Sequence, residues 1–152
     1  MPSLTLLTQN GSKEHGRYEY FLPDSWKVQK RKEFSQFFDK KKKLGTLHVM
    51  LFEFPKSEQI NPLDQLGELL ASGKFNYSPT NIKTHVKKAK KWAEVTCVDL
   101  SEAFWKIWTI VQKNKIMFAA YHCPLKYKDR EMRAVNEMME SMQIKERTPS
   151  LR

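Results

Sequence analysis

The chain is poor in cysteine and glycine, has no long apolar run, and holds no histidines at a metal-binding spacing. Each shortage closes off a class of function. Two cysteines in 152 residues, Cys97 and Cys123, are too few for a disulfide scaffold and too far apart for a CxxC site. Reduced thiols in a cytosolic protein are the expectation, with one disulfide left open should their strands adjoin. Five glycines, at Gly11, Gly16, Gly45, Gly67 and Gly73, never fall in a GxGxxG or Walker arrangement, so nothing supports nucleotide hydrolysis. His15, His48, His85 and His122 show no HxH, HExxH or Cys/His pattern, and neither a metal nor another cofactor is expected. No run approaches the ~20 apolar residues of a membrane span. The start, MPSLTLLTQNGSKEHG, lacks the basic n-region and apolar length of a signal peptide. The expectation is a soluble, cytoplasmic chain.

What is present is a packed globular composition, 40% apolar and 12% aromatic, at a length that suits one core. A single domain over 1–152 is expected, ordered from about 17 to 144, with flexible ends at 1–14 and 146–152. The 27 Lys and Arg against 17 Asp and Glu leave a formal charge of +10. Such a field attracts acidic proteins, phosphates or anionic surfaces without specifying a fold.

Along the chain, Tyr18 to Leu22 reads as a strand broken by the Pro23-Asp24-Ser25 turn and resumed at Trp26 to Val28. Glu33 to Phe38 is extended, and DKKKKLG, Asp39 to Gly45, is a hairpin tip returning into Thr46 to Phe54. In that strand Leu47, Val49 and Leu51 point one way and Met50, Phe52 and Phe54 the other, which predicts a central strand covered on both sides. NPLDQLGELLASG predicts a helix, with Asn61 as N-cap, Pro62 at the first position and Gly73 past the last turn. Four strands follow, Ile82 to Val86, Trp92 to Asp99, Phe104 to Gln112 and Ile116 to Cys123, the last two joined through Lys113 and Asn114. Met132, Val135, Met139 and Met142 recur at helical spacing after a cap at Asp129, and Met138 is expected at the edge of that stripe, partly exposed.

This order predicts an α/β protein: an antiparallel sheet of about six to seven strands with helices covering both faces, an α/β/α sandwich. YEYFLPDSW (Tyr18 to Trp26), GTLHVMLFEFP (Gly45 to Pro55), FWKIWTIVQKNKIMFAAYHCP (Phe104 to Pro124) and NEMMESM (Asn136 to Met142) with Ser141 together resemble the PsbP-like superfamily. The resemblance implies a fold whose members mostly bind other proteins, and it does not imply catalysis.

The candidate chemistry is sparse. His122 and Cys123 are adjacent on a strand, so they point to opposite faces and cannot act as base and nucleophile; Pro124 marks a strand end. Glu53 interrupts the Leu47, Val49, Leu51 row, and a salt bridge to a nearby lysine outweighs an active-site base there. An enzyme built on Cys123 or Glu53 is the remote reading, and no catalytic residue is assigned. Two basic clusters remain, Lys40, Lys41, Lys42 and Lys43, and Lys87, Lys88, Lys90 and Lys91 running into Trp92. They suit the steering of an acidic protein partner, which makes a non-enzymatic adaptor, chaperone-like or immunity-type binding module the leading expectation. The alternative is sequence-blind binding of nucleic acid or an anionic surface through phosphate neutralisation and stacking on Trp92. The plain account of the same lysines is a solvated hairpin tip and strand edge.

Overall fold

A computed structural model of the chain describes residues 4–11, 16–72 and 75–145. Strands β1 (Leu4–Gly11) and β2 (Gly16–Pro23) form an antiparallel pair, so the stretch placed before the ordered core contributes a strand. The chain then turns at Ser25, whose φ of 69 lies in the left-handed region. Beyond this turn come β3 (Trp26–Lys30), β4 (Ser35–Asp39) and β5 (Thr46–Glu53). Helix α1 (Pro62–Ser72) precedes β6 (Phe75–Asn76), β7 (Lys83–Lys87), β8 (Lys90–Asp99), β9 (Ala103–Gln112) and β10 (Lys115–Pro124). Helix α2 (Met132–Ser141) and β11 (Gln143–Lys145) close the described chain.

Two antiparallel sheets result. The larger has eight strands in the order β3-β4-β5-β10-β9-β8-β6, with β7 also paired to β8; the smaller has the order β1-β2-β11. The Pro-Asp-Ser turn therefore does not interrupt one strand, as the sequence suggests. It carries the chain from the small sheet to the edge of the large one.

One face of the large sheet holds Leu47, Val49, Leu51, Trp108, Met117 and Tyr121, and it packs against Tyr18 and Tyr20 of β2 and against Val135, Met138, Met139 and Met142 of the α2 segment. Met138 is fully buried rather than half exposed. The cause is the small sheet, which lies beside α2 and takes up a second flank of the helix: the Phe21 amide donates to Ser141 Oγ at 2.9 Å. The helix begins at Met132 with Glu131 in the cap position and no side-chain cap bond, so Asp129 is not its cap.

The other face carries α1. The Asn61 carbonyl side-chain oxygen accepts the Leu63 amide at 2.8 Å, as an N-cap should. Thr109 Oγ1 donates to the Pro62 carbonyl at 2.6 Å and ties the helix start to β9. Leu66 and Leu70 bury against Ala93, Val95, Cys97 and Ile107. Each such leucine contributes about 1.5–3 kcal/mol.

The expectation of helices covering both faces does not hold. An eleven-residue helix is about 16 Å long and ~10 Å wide, which spans about two strands at ~4.8 Å spacing. Helix α1 lies on β8 and β9 and leaves β4, β5 and the outer side of β10 without a helix above them. Across the sheet the second cover is shared between α2 and β2.

Candidate functional site

On the α1 face the strands bring aromatic rings and imidazoles into a row that runs from the uncovered strands to Trp105 and Phe75, which pack against the α1 cluster. Strand pairing aligns His122 with Trp105 on β9 and, through Ala120, with His48 on β5. Phe34 meets His48 edge-on with ring centres 5.0 Å apart, His48 lies 5.5 Å from His122, His122 stacks on Trp105 at 4.5 Å, and Trp105 meets Phe75 at 5.4 Å. Phe52 and Phe118 pair beside the row at 5.9 Å, with Phe52 38% exposed. These contacts stabilise the face where a helix is lacking, since edge-on and stacked pairs are worth ~0.5–1.5 kcal/mol beyond burial.

The row is electrically quiet at neutral pH. Burial lowers both imidazoles below the ordinary histidine range; for His48 the neighbouring His122 adds to the effect, while Asp99 opposes it at His122. Asp99 is itself held at a pKa of about 2, first by the Ser101 hydroxyl and then by Trp105 Nε1, which donates at 2.8 Å, and the Ala103 amide. The rim is basic. Lys27 sits across from Phe38 on the edge strand, and Arg31 donates to Gln29 and Gln36. At His122 the row borders a cavity of ≈950 Å³ walled by Leu44, His122, Pro124 and Leu125, with Lys43, Lys126 and Glu102 at its sides. Of the hairpin-tip cluster, Lys43 lines this cavity, whereas Lys40, Lys41 and Lys42 are exposed in the turn. Asp39 fixes that turn by accepting the amides of Lys41 and Lys42 at 2.8 and 3.3 Å.

The second lysine cluster is divided by the strand. Lys88 stands in the β7–β8 turn with a φ of 57, and Lys91, exposed, faces away from α2. Lys87, Lys90 and Trp92 share the α2 face, where a cleft of ≈520 Å³ also takes Lys83, His85 and Lys106. Lys90 is not a solvated edge residue. Only 5% of it is exposed, and its Nζ donates to the Met142 carbonyl at 2.7 Å. Burial, and next the charge of Lys87, lower its pKa to about 8. Trp92 is half-buried, stacked on His85 at 4.8 Å and approached by Lys90 Nζ at 5.0 Å. The ring that sequence reasoning offered to nucleobases is thus already occupied by the protein's own side chains.

His122 and Cys123 do point to opposite faces: Cys123 lies in the core with Tyr121, and His122 in the aromatic row. Cys97 is across from Trp105 on the α1 face, so the two thiols occupy different sides of the sheet and both are free. Burial raises both, and Cys97 reaches about 11. Glu53 pairs with Lys115 at 3.3 Å. Among the described residues no three His, Cys, Asp or Glu side chains converge as metal ligands, and no helix is long and apolar enough to cross a membrane.

These features define an α/β protein with the PsbP-like fold, so the resemblance carried by the sequence motifs holds at the level of architecture. The solution structure of cyanobacterial PsbP (CyanoP) from Synechocystis sp. PCC 6803 is similar with a TM-score of 0.67 and 12% identity, over 93% of this chain and 93% of that one. LpqN of Mycobacterium tuberculosis, described as involved in cell envelope biogenesis, gives 0.59 and 14% over 94% and 91%. A protein from Bacteroides thetaiotaomicron VPI-5482 gives 0.58 and 11%, over 96% of this chain and 50% of that one. No family model and no curated protein matches the chain.

Proposed function

We propose that the chain is a non-enzymatic protein-binding module that docks an acidic segment on the uncovered half of its α1 face. The carrying observation is the row Phe34, His48, His122 and Trp105, uncharged and half-buried, with Lys27 and Arg31 on its β3 side and Lys43 and Lys126 around the cavity at His122. An amphipathic helix, ~10 Å across, fits beside α1 and would complete the roof in trans. Acidic residues flanking its apolar stripe would meet the basic rim, and the chain's +10 charge would speed the encounter. An adaptor, chaperone-like or immunity-type role would suit such a surface, and a cytoplasmic setting accords with two free thiols.

The test uses two charge-inserting variants on the face, Met50→Lys and Phe118→Lys, with the parent and a Lys88→Ala control. A partner captured by the parent and the control should be lost on both face variants, and its association rate should fall several-fold between low and physiological salt. Retention of the partner by Met50→Lys and Phe118→Lys removes this face from the reading. Equal capture of arbitrary single-stranded RNA, with the steep salt dependence of phosphate contacts, would favour nucleic-acid binding instead.

A further inference from the structure

The cleft under α2, on the side of the sheet away from the aromatic row, is a separate place with its own chemistry. Its walls carry four ammonium groups, Lys83, Lys87, Lys90 and Lys106, and two carboxylates, Glu94 and Glu140. Two positive charges are left over before His85 is counted. Lys106 Nζ commits one of its donors to Asn136 Oδ1 at 2.9 Å and lies 3.6 Å from Glu94 Oε1. Lys90 commits one of its three N–H donors to the Met142 carbonyl. His85 Nε2 is shielded from solvent, makes no hydrogen bond among the described residues, and lies 3.7 Å from Glu94 Oε2. Buried polar atoms ordinarily find a partner, and Lys90, the most deeply buried of the four ammonium groups, is costly to keep charged without an anion.

We propose that this cleft binds a small molecule bearing a phosphate monoester dianion, held by Lys87, Lys90 and Lys106 beside the His85 ring. A monoester carries a charge of about −1.5 to −2 near pH 7, which matches the uncompensated charge. Lysine ammonium groups recognise phosphate as point charges, and among the described residues the cleft is lined by lysines and by no arginine. The volume of ≈520 Å³ lies within the range of small-ligand sites, ~300–1,000 Å³, and leaves room for a sugar-sized body beside the phosphate. Trp92, already stacked on His85, forms the floor and is not a platform for a base.

Titration calorimetry and proton NMR of the full chain with ribose 5-phosphate, inorganic phosphate and citrate, at constant ionic strength, test this. Ribose 5-phosphate should bind one-to-one, shifting the His85 ring and Trp92 indole N–H signals. Inorganic phosphate should compete for the same site, and citrate, which has no tetrahedral dianion, should bind more weakly. Lys87→Gln changes an exposed side chain and should weaken the ester about 10-fold or more, the scale of one charge-assisted bond. Lys90→Gln should do the same, with its fold confirmed by the unchanged Trp26 signal. Replacing Lys40 to Lys43 by alanine should have no effect. Binding unaltered in Lys87→Gln and Lys90→Gln, shifts spread over the surface, or an equal response to citrate would overturn the assignment. None of these outcomes bears on the aromatic row across the sheet.

Discussion

Replacing Gly45 by alanine probes the tightest polar junction in the core. A Cβ built there would collide with the Tyr121 hydroxyl and would lie 2.6 Å from the His122 carbonyl oxygen, which is backbone and cannot swing aside. Tyr121 Oη is also committed, donating to Glu131 Oε1 at 2.7 Å, and Glu131 accepts the amides of Gly45 and Leu44 besides. Relieving the clash must therefore displace a buried phenol from a buried carboxyl group. Overpacking costs about 1–3 kcal/mol, and a buried acceptor left without its donor costs about 1–3 kcal/mol more. Together they give ~2–6 kcal/mol, a fall in melting temperature on the order of 10 °C for a chain of this size. Urea unfolding measures it directly, with Gly67→Ala as the reference. Gly67 lies inside α1 with nothing within 4 Å of the added carbon, and alanine there should stabilise by about 0.5–1 kcal/mol. The double variant with Tyr121→Phe should be less destabilised than the sum of its parts. A Gly45→Ala protein within ~0.5 kcal/mol of the parent, the spread usual for neutral surface changes, would refute the geometry.

Three further outcomes are expected. Because the folded-state pKa values of His48 and His122 lie below the usual 6.5, their contribution to stability is present above pH 6.5 and is lost as the pH falls through the folded values; His48→Gln/His122→Gln should flatten the stability difference between pH 7 and 5, and a parent-like slope refutes it. Glu131 is raised, chiefly by burial, so its protonated form stabilises the fold at low pH and that benefit is lost as the pH rises past 4.5; Glu131→Gln should gain on the parent between pH 4 and 7, and the opposite trend in urea midpoints counts against it. Leu66→Ala, beneath α1 and fully buried, should cost about 2–5 kcal/mol, whereas Phe52→Ala on the uncovered half should cost less than half as much by the same urea assay; equal costs would mean that both halves are packed alike.

Local signals in the sequence identified α1 almost residue for residue, because a cap, a proline and a leucine stripe act within one helix. The β9–β10 hairpin was equally legible: its turn at Lys113 and Asn114 fixes a register in which Trp105 faces His122, so half of the imidazole row was within reach. His48 was not, since β5 reaches β10 across a helix and four strands, and no local pattern announces that pairing. The apolar outer side of β5 was read as needing a helix over it. Aromatic contacts along the face take that role in part, and α1 is too narrow to do so. The lysine run from Lys87 to Lys91 was legible as a charge cluster, but burial of Lys90 depends on the Met142 carbonyl more than fifty residues on.

The three-stranded sheet has a consequence for how the protein comes into being. β2 is flanked by β1 on one side and by β11 on the other, so Tyr18 is across from Ile144. Closing so long a loop is slow, and on the ribosome β11 emerges after every other described strand. Until it arrives, β2 keeps an unsatisfied edge of the kind that pairs with strangers. The nascent chain should therefore be most vulnerable to aggregation in the interval between synthesis of α2 and docking of residues 143–145.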